Sequence, residues 1–226
     1  MHSQKLPPVF YINSKKPSAS SELSYLLKDC LNQVERSWKE IVFLCIGSDR
    51  ITGDSLGPLI GHQLSKYTWE DIYVYGTLDA PVHALNLEEI LLRIKKRHPF
   101  ALIIAIDASL GSKKHLGFIT VGNGSICPGS GVNKVLPDVG DIFITGIINV
   151  SGTFEHFLLQ TTRLSTIVNM ADAITRGILC AMNTVHDSQS ILPELYPQPD
   201  TRRRPGWTKD NGTAALSMDS NSGTSP

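Results

Sequence analysis

The chain has 226 residues, 41% hydrophobic and 19% charged, with 21 basic and 21 acidic side chains and a formal net charge of zero. That length suits one sizeable domain with tails, and the charge balance supplies no global pull toward nucleic acid. No apolar run of about 18 residues is present, and MHSQKLPPVF has neither an apolar signal core nor a small-residue cleavage site, so a membrane span and secretion are both unexpected.

Residues 1–19 carry Pro7, Pro8 and Pro17 among polar neighbours and read as an extended arm. From Ser20, the residues Leu23, Leu26, Leu27, Cys30, Leu31 and Val34 share one helical face, with Ser20 or Ser21 as a cap. Ile41 to Ile46 is a short, wholly apolar run and predicts a central strand. Beyond the glycine-rich CIGSDRITGDSLGP, the positions of Leu56, Leu59, Ile60 and Leu64 predict a helix, and Ile72 to Tyr75 a strand. Asn86 with Glu89 has the form of a capping box, ahead of a helix that Pro99 ends. Strands follow at 101–106, 116–121 and 142–148, with a glycine-rich connection over 122–141 and a long helix over 164–184. Strand and helix in alternation predict one α/β domain over 20–186, a mostly parallel sheet covered by helices on both faces. Residues 187–226, rich in proline and serine, predict a largely disordered tail. Cys30, Cys45, Cys127 and Cys180 form no CxxC pair and read mostly as core thiols of a reducing compartment.

Two strands end on acids. Asp49 and Asp54 follow the run at 41–46, and Asp107 closes the run at 101–106. In an open α/β sheet, ligands bind outside the carboxyl ends of the strands. A carboxylate there borders low-dielectric protein and needs a proton, a cation or hydrogen-bond donors. Asp54 and Asp107 facing one another would share a proton, orient water or hold a metal. Alternatively, Asp107 accepts bonds from loop amides and Asp54 caps the helix that follows. GSDRITG lacks the lysine of a phosphate loop, and its acids would repel a bound phosphate. No histidine has a sequence-defined relation to Ser55 or Ser130, as a serine nucleophile would need.

CIGSDRITGDSLGP resembles the first motif of the germination protease superfamily of spore-forming bacteria, at Thr52, Asp54, Leu56, Gly57 and Pro58. IAIDA at 104–108 resembles its second motif and PGSGVNK at 128–134 its third. The segment from about 41 to 184 is similar to the YyaC sporulation family through VYGTLDAPVHALNLEE, PGSGVNKVLPDVGDI, ITGIINVSG and LQTTRLS. The resemblance implies a three-layer α/β/α sandwich of the hydrogenase-maturation-protease type. It places the two aspartates proposed to do the germination protease's chemistry on Asp54 and Asp107. In hydrogenase maturation enzymes, acids at these places go with a divalent metal and a later histidine, for which His156 is the candidate here. The chain departs from the germination protease in lacking its larger insertions and in having Ser48, then Asp49, after the first-motif glycine.

The leading expectation is a peptidase-like hydrolase in which one acid activates water and the other polarises the scissile carbonyl, the assignment left open. Gly129, Ser130 and Gly131 would let a backbone amide approach a developing oxyanion, and Asp49 is a further substrate contact. The substrate would be a peptide or protein segment, with small acid-soluble spore proteins suggested by the resemblance. Neither nucleic acid nor membrane is expected as a partner, and an oligomer stays open. The implied setting is the cytoplasm of a spore-forming bacterium, in forespore or mother cell. The alternative is a non-enzymatic module that binds a peptide or metal in the same crevice during spore formation.

Overall fold

The computed structural model describes residues 8–128, 136–152 and 155–186. Six strands form one sheet in the order β1-β5-β6-β4-β2-β3. They are β1 (Phe10–Asn13), β2 (Glu40–Cys45), β3 (Ile72–Tyr75), β4 (Ala101–Gly111), β5 (Phe118–Asn123) and β6 (Ile142–Val150). β3, β2, β4 and β6 run parallel, and only β5 opposes its neighbours. The three apolar runs become the three central strands because each buries both of its faces. In β2, Ile41, Phe43 and Cys45 join one core, while Val42 and Leu44 join the other. The first core lies under α1 (Ala19–Asn32), α2 (Leu56–Leu64) and α5 (Leu164–His186), and the second under α3 (Leu87–Arg97). The result is a three-layer α/β/α sandwich with a mostly parallel sheet. No helix of the described residues is long and apolar enough to cross a membrane.

Several expectations change. The supposed arm contributes an edge strand: β1 pairs antiparallel with β5, and Ile12 is 1% exposed. A four-residue strand is too short to announce itself by periodicity. The second face is covered by a helix only over β2, β3 and β4. Leu136 and Val139 of the connection from β5 join the same core over β2 and β4, with an Ile126–Val139 bridge beside them. Ser18, not Ser20 or Ser21, stands at the start of α1; Ser20 instead donates to the Ala173 carbonyl at 3.0 Å, fastening α1 to α5. Asn86 makes no cap, because its side chain turns back to the preceding loop. Cys30 and Cys45 are buried, but Cys127 and Cys180 are exposed. The expected tail, 187–226, lies outside the described residues.

Candidate active site

The chain leaves β2 toward β3 by way of α2 on one face, then returns past β2 to β4 by way of α3 on the other. The crevice beyond the carboxyl ends of β2 and β4 is therefore the point where the connections diverge, the usual ligand position in such sheets. Asp54 reaches it from the loop after β2 and Asp107 from β4 itself, and both line one cleft.

The glycines of CIGSDRITGDSLGP explain how Asp54 gets there. Ile46 donates its amide to Ile106 at 2.7 Å, and Gly47 donates to Val82 at 2.8 Å, so the strand end is held from both sides. The loop then closes on itself: Ser48 N–H donates to the Asp54 carbonyl at 3.0 Å. Gly47 has φ +140°, and a Cβ there would sit 2.0 Å from that carbonyl oxygen. Gly57, at the start of α2, lies against β2 so closely that a Cβ would meet the Ile46 carbonyl oxygen at 2.0 Å. Asp54 itself belongs to a 3-10 turn, Thr52–Ser55, and makes no side-chain cap for α2. The stretch is neither a phosphate loop nor only a tight turn. Its glycines press the turn onto the sheet and present one acid to the crevice, while Arg50 and Asp49 stand exposed at the rim.

The two acids differ in electrostatics. Burial raises Asp54 from its ordinary value of 3.8 to about 6, against the opposing effect of a Ser48 amide bond. Asp107 is 8% exposed, and its Oδ1 accepts the Ala108 amide at 2.8 Å. Burial first, then the charge of Asp54, push Asp107 well above the ordinary value, and the Ala108 bond only partly opposes this. The two groups are therefore coupled, an ionised Asp54 favouring the protonated form of Asp107. One donor amide and a hydroxyl row nearby do not balance a second buried charge. Asp107 also borders a second cleft, across the bare face of β4, β6 and β5. There Ser109 donates to Thr145 at 3.2 Å, and Thr145 shares a 2.6 Å hydrogen bond with Thr120. Asp107 is thus the junction of an acid-lined cleft and a hydroxyl-lined one.

Asp49 joins Asp54 and Asp107 at the first cleft. Gly129, Ser130 and Gly131 lie outside the described residues, as does the side chain of His156, whose backbone falls in α4 (Glu155–Gln160). Among the described residues, no three His, Cys, Asp or Glu side chains gather as a metal-holding group. Sequence reasoning missed His83, which lines the same cleft. A lone histidine between valine and alanine carries no spacing signal.

The family described as "Protein of unknown function (DUF1256)" matches residues 11–177. The chain belongs to this family. The "Uncharacterized protein YyaC" of Bacillus subtilis (strain 168) is 44% identical over 183 residues, covering 81% of this chain and 88% of that protein. The likeness to YyaC expected from the sequence blocks is therefore borne out. Among solved structures, the chain is similar to the [NiFe] hydrogenase maturation protease HycI from Thermococcus kodakarensis KOD1, with a TM-score of 0.41 and 15% identity over 70% of this chain and 97% of that one. Asp54, His83 and Asp107 all lie inside the segment that the DUF1256 family covers.

Proposed function

We propose that the chain is a peptidase-like hydrolase in which Asp54 is the general base and Asp107 the general acid. One observation carries the reading: Asp54 and Asp107 line one cleft, where burial raises both carboxyls and the charge of Asp54 raises Asp107 further. Environments that push two carboxyls apart divide the acid and base roles between them. Ionised Asp54 takes a proton from water, and the water oxygen attacks the scissile carbonyl carbon. Protonated Asp107 hydrogen-bonds the carbonyl oxygen as negative charge develops there. The proton gained by Asp54 then passes to the departing amine, leaving a new carboxyl and a new amino terminus.

Two clefts meeting at Asp107 suit an extended chain that lies across the acid pair. The resemblance to the germination protease supports an unfolded protein segment as substrate, with small acid-soluble spore proteins foremost, and the cytoplasm of a sporulating cell as the setting. The test is digestion of a peptide library that includes such proteins, read by mass spectrometry, with the wild type, Asp54→Asn and Asp107→Asn. Cleavage by the wild type alone is expected. Equal cleavage by either variant would overturn the acid-pair reading. Peptide binding without cleavage by the wild type would put a binding module in its place.

A further inference from the structure

The loop from Pro81 to Asn86 is built around His83. Val82 is bridged to Ile46, the residue that follows β2, and its carbonyl accepts the Gly47 amide. Asn86 braces the loop from inside: its Oδ1 accepts the His83 amide at 2.8 Å, and its Nδ2 donates to the Pro81 carbonyl at 3.0 Å. The same asparagine that the sequence offers as a helix cap is spent on holding this histidine. The ring is fixed as well. Its Nδ1 accepts the Leu85 amide at 3.3 Å. A nitrogen that accepts a hydrogen bond carries no proton, so the neutral ring holds its hydrogen on Nε2. With Nδ1 occupied, Nε2–H is the polar group the ring has left to offer the cleft it lines with Asp54 and Asp107.

The three side chains line one cleft of about 430 Å³. That leaves room between them for a substrate backbone. We infer that His83 is a catalytic residue of the hydrolytic site, its Nε2–H donating to a substrate carbonyl oxygen and stabilising the charge that grows there. The inference rests on the acid-pair reading above. It adds a neutral donor from the loop after β3 to a cleft that also receives Asp54 from the turn after β2 and Asp107 from β4. Fixed donors aimed at developing charge contribute heavily to acyl transfer.

Two substitutions separate this role from a structural one. In His83→Gln the amide nitrogen reaches the place of Nε2, whereas in His83→Asn the side-chain oxygen keeps the place of Nδ1 and its Leu85 contact. With a peptide cleaved by the wild-type chain, His83→Asn is expected to lower kcat about 10²-fold with little change in KM and an unchanged melting temperature. His83→Gln is expected to retain kcat within about tenfold of the wild type. A His83→Asn chain as active as the wild type, beside inactive Asp54→Asn and Asp107→Asn, would overturn the donor role alone. A wild-type chain that cleaves no peptide would overturn the acid-pair reading and the donor role with it. Independently of cleavage, long-range proton–nitrogen correlation spectra of the full labelled chain report the tautomer, His83 being assigned by its loss in His83→Gln. A ring with its hydrogen on Nε2 is expected, and one with hydrogen on Nδ1 would overturn the inference.

Discussion

Changing Asp54 to asparagine removes a charge that burial opposes, and the sign of its effect on stability follows. The folded-state value is about 6 and the ordinary value 3.8, so between these the folded protein holds a proton that the unfolded chain has released. Stability from this group is therefore greatest below pH 4 and falls as pH rises through 6. Asparagine does not titrate. Asp54→Asn should match the wild type near pH 4 and exceed it above pH 6.5, by roughly 1–3 kcal/mol in urea denaturation, while hydrolysis falls by about 10² to 10⁴. Asp107→Asn should behave alike, since an asparagine oxygen can still accept the Ala108 amide that Oδ1 now receives. A stability loss at pH 8 in both variants would show that the carboxylates are structural acceptors. The positions of both acids were legible in the sequence because each follows an apolar strand. Their burial and coupling were not, because these depend on Asp107 lying within β4 while Asp54 stands on a turn. His83 was illegible for a similar reason: only the bridge to Ile46 and the Asn86 brace make it part of the site.

Among the elements, α2 and the loop before it determine where Asp54 stands. Gly57→Ala would drive a Cβ into the Ile46 carbonyl, backbone against backbone, with no flexible side chain to yield. A loss of more than about 2 kcal/mol in urea denaturation is expected. Gly47→Ala adds an unfavourable φ to a clash with the Asp54 carbonyl, so it should cost stability and activity together. Wild-type melting in either variant would contradict the packing described here. β1 calls for a different test. Deleting residues 1–13 removes the buried Ile12 and leaves β5 as an unpaired edge. A lower urea midpoint and increased light scattering are expected. The central strands were legible from runs of apolar residues. β1 was not, because four residues that bury chiefly Ile12 resemble any extended segment, and proline neighbours pointed to an arm. Asn86 misled for a related reason, since a capping box and a loop brace use the same side chain and only the partner distinguishes them.

On the scale of the whole molecule, the order of connections brings the acids together. β2 and β4 are sequence-distant but adjacent in the sheet, paired from Glu40–Ala101 to Cys45–Ile106. The strand sequences imply a parallel sheet, but not which strands are neighbours. That Asp54 and Asp107 line one cleft became visible only with the strand order. The proposed roles also predict how hydrolysis by the intact protein depends on pH. Its rate should rise with pH through about 6 as Asp54 ionises and fall at higher pH as Asp107 loses its proton, the two limbs belonging to the pair. A rate independent of pH from 5 to 9 would exclude the division of roles, and peptide cleavage followed across that range decides it. The division of roles can also be observed without any substrate, by carbon NMR titration of the full chain labelled at its aspartate carboxyls, with Asp54→Asn and Asp107→Asn assigning the two resonances. The expected result is that Asp54 titrates near pH 6, that Asp107 keeps its proton after Asp54 has ionised, and that Asp107 titrates lower in Asp54→Asn. Two carboxyls that titrate together near pH 4, each indifferent to loss of the other, would contradict it.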